Sequence, residues 1–293
     1  MPEFHARAWT ADWVNAWLAS IGTVLICDGL RVRWMASNPP HAVFESDVSN
    51  VPATVVAALP DAEEISGYAL TREGGDGSEL SQKVDVEAYG TRAASARGIG
   101  DFTFSSAFTD LAPLDSGRLE ASPFNPPAPK GITLWQRFHA CLMAVVESED
   151  PETLVAQSMT VGGVRVKQNG LGFDYRRIPL PTDPWGDPWV DPLVEALAFF
   201  GLSLLPMRGD GRFPCVRGWR SEAGRAGIRK SEEGAFRWPA WGEPFTASAV
   251  DAHLDRFWSG NRIPPPLAVF SAVPFSPKGS SDMTRGFASR RIG

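Results

Sequence analysis

An α+β fold of mixed helices and antiparallel hairpins, with no transmembrane segment, is predicted for this 293-residue chain by three observations. Segments with a 3.6-residue apolar repeat recur along its length, and short β-rich runs flank Asp-Gly and Asn-Gly pairs. No apolar run reaches the ~18 residues that a membrane span needs. An apolar content of 43% fits a globular chain with a substantial core.

The clearest single stretch is Trp185 to Arg212. Asp191-Pro192 reads as a helix start, because the carboxylate can accept from free N–H groups and a first-turn proline has no N–H to satisfy. Val190, Leu193, Val194 and Leu197 form a stripe that Ala198, Phe199 and Phe200 widen, so the helix is expected to be buried on nearly every side. Gly201 is expected to end it in the left-handed conformation, with Leu202 to Leu205 following as a short core strand.

In chain order, Thr10 is expected to open a helix carrying Trp13, Trp17, Leu18 and Ile21 and ending at Gly22. Thr23–Cys27 and Leu30–Met35 then read as a hairpin about Asp28-Gly29, with Arg31 and Arg33 on one strand face, either solvated or gripping phosphate. Ser46–Pro60 suggests a second helix, and Asp61–Leu70 its continuation or a new one. Gly74–Gly77 lacks the lysine of a phosphate-binding loop, and Tyr89–Gly100 suits a surface loop.

Pro113, Pro123, Pro126, Pro127 and Pro129 mark a linker or long loop over residues 113–131, dividing an acidic region 1–112 from a basic region 132–275, with a mobile tail at 276–293. Beyond the linker, Thr133 opens a helix to about Val146, along which Leu134, Phe138, Leu142 and Val145 align. Val164–Lys167 and Gly172–Tyr175 read as a hairpin through Asn169-Gly170. Phe236–Trp241 suggests a strand and turn. Thr246 is placed to cap a helix through Val250, Leu254 and Phe257, and a strand is expected from Leu267 to Val273.

Charge is distributed unevenly. Residues 1–160 hold 10 Lys+Arg against 21 Asp+Glu, a net −11, whereas residues 161–293 hold 18 against 13, a net +5. The basic half is nearly all arginine, the side chain suited to bidentate phosphate contact, although arginine-rich codon usage gives the same composition. Lys167, Gln168 and Asn169 at the expected hairpin tip, with Arg176 and Arg177 just beyond, supply donors and acceptors for base edges and phosphates. Arg208, Arg212, Arg217, Arg220, Arg229 and Lys230, interleaved with glycine and aromatics, suit a single-stranded nucleic-acid backbone.

Signatures of catalysis are missing: there is no H-E-x-x-H, G-x-S-x-G or Walker lysine. His5, His41, His139 and His253 are isolated in sequence, so no metal or cofactor is expected. Asp174, Asp183 and Asp187 are the carboxylates that folding could gather into a hydrolase site. Cys27, Cys141 and Cys215, odd in number and widely spaced, fit reduced buried thiols. With no leader-like segment, a cytoplasmic protein is expected.

The runs G-F-D-Y-R-R from Gly172, D-P-L-V-E-A-L-A-F-F-G-L-S-L-L-P-M-R-G-D-G from Asp191, R-G-W-R from Arg217 and F-R-W-P-A-W from Phe236 resemble the C-terminal half of accessory or large-subunit-like proteins of type I-G (formerly I-U) CRISPR-Cas systems. D-W-V-N-A-W-L-A-S-I-G from Asp12 resembles their start. The resemblance implies a non-enzymatic effector subunit in RNA-guided DNA interference, partnered with other CRISPR effector subunits, crRNA and target DNA, or the helicase-nuclease. A hydrolase whose carboxylates converge only in the fold is the alternative.

Overall fold

A computed structural model describes residues 1–61, 124, 134–168, 170–171, 189–205, 217–221, 234–260, 264–275 and 286–293. The described residues form six helices and antiparallel sheets, as the α+β reading requires, and no described helix is long and apolar enough to cross a membrane.

The chain opens with a strand, β1 (Glu3–Thr10), that sequence periodicity did not single out. Helix α1 (Val14–Ile26) follows, and it runs straight through Thr23–Ile26, where a hairpin strand was expected. Local β-propensity loses here because α1 is buried on nearly all sides, and because the Ser20 and Thr23 hydroxyls donate to the Ala16 and Ala19 carbonyls at 2.8 Å inside the helix. The Asp28-Gly29 turn is real, with Gly29 at φ 79°, but it joins a helix to β2 (Arg31–Met35). The partner of β2 is β3 (His41–Glu45), which pairs with β1 on its other side to give the sheet order β1-β3-β2.

Helices α2 (Val51–Ala58) and α4 (Pro151–Thr160) begin with the same device as α5 (Pro192–Gly201). Asn50, Asp150 and Asp191 each accept from a backbone N–H of the first turn, and a proline occupies one of the first helical positions. Between α2 and α4 lies α3 (Leu134–Val146), where Phe138, Leu142 and Val145 face the core as expected. A two-residue ribbon pairs β4 (Val166–Lys167) with β5 (Trp189–Val190). β4 was expected to pair with Gly172–Tyr175, which lies outside the described residues.

Helix α5 is buried along its whole length. It ends in a 3-10 turn at Leu202–Leu204 instead of the expected strand, and Gly201 is helical, at φ −59°. The glycine serves a different purpose: a Cβ on Gly201 would lie 2.2 Å from the Leu18 carbonyl oxygen, and one on Gly22 would lie 1.9 Å from that of Leu197. Helices α1 and α5 cross backbone against backbone at these two glycines.

The C-terminal sheet runs β6 (Trp219–Ser221), β7 (Gly234–Ala240), β8 (Ala268–Phe275) and β9 (Gly286–Arg291) in that order. Helix α6 (Ala247–Trp258) follows β7, with Thr246 at its cap position, although the Thr246 hydroxyl meets Ser248 and not the backbone. Trp17, Trp238 and Trp241 stitch the two ends together, donating indole N–H groups to the carbonyls of Pro239, Ala11 and Val32 at 2.7–2.9 Å. Buried residues from both sides of the expected linker share one hydrophobic core, and Phe124, from within that linker, packs edge-on against Phe236 and Trp219.

Candidate nucleic-acid interface

Lys167 is exposed on β4, directly opposite Trp189 on β5. Gln168 is half-buried and folds back, its N–H on the Val166 carbonyl at 3.0 Å. Gly170 is buried in a left-handed turn at φ 55°. Asn169, Arg176, Arg177, Arg208, Arg212, Arg229 and Lys230 lie outside the described residues. Arg220 is placed by its backbone alone, opposite Ala235 in the β6–β7 pair.

Arg217 has an inward role. Its guanidinium donates to the Leu204 carbonyl at 2.8 Å, to the Asp251 carboxylate at 2.5 Å and carbonyl at 2.7 Å, and meets the Asp255 carboxylate at 2.7 Å. Its central carbon lies 5.3 Å from the Trp258 ring centre. Arg217 thus fastens α6 to the end of α5, which sequence spacing had no means of showing.

On the expected Arg31–Arg33 face, Arg31 is exposed while Arg33 is tied down by carboxylates. Arg33 bridges Glu3 and Glu45 at 2.8 Å each, and these contacts hold the Glu3 carboxyl below its ordinary range. The histidines are not all isolated: His5 Nδ1 meets His41 Nε2 at 3.2 Å, and His41 Nδ1 meets the Ser37 hydroxyl at 2.9 Å. Burial, then the nearby charges of His5, Arg7 and Arg33, pull His41 down. His253 packs on Trp241 and Phe245, and burial lowers it, followed by the charge of Arg256.

Among the described residues two carboxylates are buried, and both hold backbone. Asp191 caps α5 and accepts from the Ser158 hydroxyl at 2.8 Å, while burial pushes its carboxyl up to about 6. Glu195 accepts from the Asn15 amide at 2.6 Å and from the Leu171 N–H at 2.5 Å, and Gly170 packs so closely that a Cβ there would lie 2.5 Å from Oε2. Burial pushes the Cys27 thiol up to about 12 and the Cys141 thiol well above its ordinary value, and both are free. Asp174, Asp183, Asp187 and Cys215 lie outside the described residues, among which no group of three or more His, Cys, Asp or Glu is placed to hold a metal.

Beside the ribbon, a pocket of about 160 Å³ has Asp191 and Ser158 at its base and Trp13, Val161, Gly163 and Arg165 around it. Gly162 and Gly163, at φ 75° and 81°, turn the chain from α4 toward β4. From Val164 to Gln168 burial alternates, with Arg165 and Lys167 exposed and Val164, Val166 and Gln168 half-buried. Trp189 is 51% exposed on the same outward face as Lys167, and Val161, at 79%, lies at the end of α4. Sequence reasoning passed over Trp189 because its meaning depends on a strand partner 22 positions earlier.

No family model, curated protein or solved structure matches the chain.

Proposed function

We propose that the chain is a non-enzymatic subunit of a type I-G CRISPR effector, acting in RNA-guided DNA interference by contacting crRNA or target DNA, or by recruiting the helicase-nuclease, through its C-terminal half. The observation that carries this reading is where the resembling stretches lie. D-W-V-N-A-W-L-A-S-I-G covers most of α1 and D-P-L-V-E-A-L-A-F-F-G is α5 with its cap, and these helices cross at Gly22 and Gly201 and share the buried Asn15–Glu195 hydrogen bond. Stretches from the two ends of the chain that resemble one family are therefore halves of one scaffold.

A scaffold of this kind leaves function to the surface. The net +5 of residues 161–293 steers a polyanion toward that half. Asp191 and Glu195, the buried carboxylates among the described residues, act as acceptors for backbone N–H groups, which argues for a structural role for these two over hydrolysis. The test is purification of the tagged full-length chain from a host expressing its neighbouring genes and a CRISPR array. Co-purification of crRNA-length RNA with the other effector subunits is expected; recovery of the chain alone, free of RNA and of those subunits, overturns the reading. A metal-dependent nuclease activity that disappears with Asp174→Asn or Asp187→Asn restores the hydrolase.

A further inference from the structure

Among the described tryptophan side chains, eight are buried, from Trp9 at 0% to Trp258 at 9% exposure, and Trp189 alone stands half in water. A large aromatic ring left exposed where the other described tryptophans are buried is the anomaly to explain. Its setting is cationic. Lys167 is its cross-strand partner, and directly opposed residues of an antiparallel pair project from the same face, with Cβ atoms about 5 Å apart. Arg165, exposed two positions before Lys167, gives one N–H to the Val164 carbonyl at 2.8 Å. The inward face of the ribbon carries the Val166–Val190 pair, with Val190 buried, so the outward face is free of any core-packing duty.

We propose that the β4–β5 ribbon is a stacking platform for an unpaired base of a single-stranded nucleic acid, with the Trp189 ring as the seat and Arg165 and Lys167 as contacts to the flanking phosphates. An indole face takes any base, because every base has a π-face, and cations within one strand spacing match the negative charge on either side of a stacked nucleotide. Exposed Arg165 and Lys167 give this outward strip positive charge to set against the oligonucleotide, with the buried Asp191 carboxylate within electrostatic reach of Arg165. The platform rests on the reading that this half contacts nucleic acid, and it assigns that contact to a residue outside the arginine-rich segment.

The experiment is a fluorescence-anisotropy titration of the full-length chain with labelled oligo-dT of about 20 nucleotides and with an abasic backbone of equal length, at several salt concentrations. Trp189→Ala should weaken oligo-dT binding by about 5- to 150-fold and leave abasic binding unchanged, because only the stacked base is lost. Trp189→Leu, which keeps an apolar side chain in the strand, should lose the same base-dependent part, while Trp189→Phe should keep most of it. Lys167→Ala and Arg165→Ala should weaken both oligonucleotides alike and each flatten the salt slope by roughly 0.7. Trp189→Ala and Trp189→Leu binding oligo-dT as tightly as the wild type overturns the platform and leaves the subunit reading standing. A wild type that binds oligo-dT and abasic backbone equally, or binds neither, also overturns the platform, while co-purification with effector subunits and crRNA decides the broader reading independently.

Discussion

Replacing Gly22 with alanine sets two physical effects of opposite sign against each other. In an exposed helix interior, glycine to alanine stabilises by about 1 kcal/mol, because alanine restricts the unfolded chain and favours the helix. At position 22 the added Cβ would stand 1.9 Å from the Leu197 carbonyl oxygen, 2.8 Å from its carbon and 3.1 Å from the Gly201 nitrogen. A carbon–oxygen contact needs about 3.3 Å, so the helices must part by more than about 1 Å. The obstacle is backbone, which no rotamer change relieves. Parting α1 from α5 loosens the surrounding core and strains the Asn15–Glu195 bond, so we expect Gly22→Ala to lose about 2 kcal/mol or more net of the helix gain. Urea unfolding of the wild type and variant at equal slope measures it. Gly201→Ala should behave alike, its Cβ meeting the Leu18 oxygen at 2.2 Å, and the double variant should cost less than the two separate losses together, because both push apart one pair of helices. A Gly22→Ala variant as stable as the wild type, or more so, refutes the crossing.

Arg217→Ala should destabilise by about 1–3 kcal/mol, and Arg217→Lys should not restore it, because a lysine cannot reach Leu204 and both aspartates together; an undiminished unfolding midpoint would show the arginine to be dispensable. Asp191 has a folded pKa of about 6 against 3.8 for the free side chain, so the folded state holds the proton more tightly and this group's contribution falls as pH rises from about 4 to about 6. Asp191→Asn should therefore remove about 3 kcal/mol of acid-side stabilisation that the wild type shows relative to neutral pH; identical pH profiles for the two would refute the assignment. A thiol reagent at pH 8 should leave Cys27 and Cys141 unmodified in the native chain and label them once denaturant is added, and native labelling of either, mapped by peptide mass, would contradict their burial.

Helix starts were the most legible feature of this chain, because a capping side chain and a first-turn proline act within one turn of backbone. Asp191-Pro192 announced α5, and Asp150-Pro151 carries the same signal for α4, although no element was expected between Val146 and Val164. The apolar stripes of α3 and α6 were readable for the same reason, since side-chain period depends on the segment alone. The sum of charge over each half was likewise available from composition.

Tertiary structure decided whatever depends on a distant partner. Thr23-Val24-Leu25-Ile26 has β-propensity, yet it is helical, because α5 and the tryptophan-rich core cover it and its one polar side chain finds a carbonyl within the helix. Gly22 and Gly201 looked like helix ends, but they are where two backbones touch, 179 positions apart in the chain. Arg217 was one of a basic run until Asp251 and Asp255 engaged it, and Trp189 was an unremarked aromatic until pairing set it beside Lys167. Local rules register what a residue prefers within a few positions. Which arginine faces inward and which tryptophan faces water are settled by long-range packing, and it is those placements that define the candidate surface.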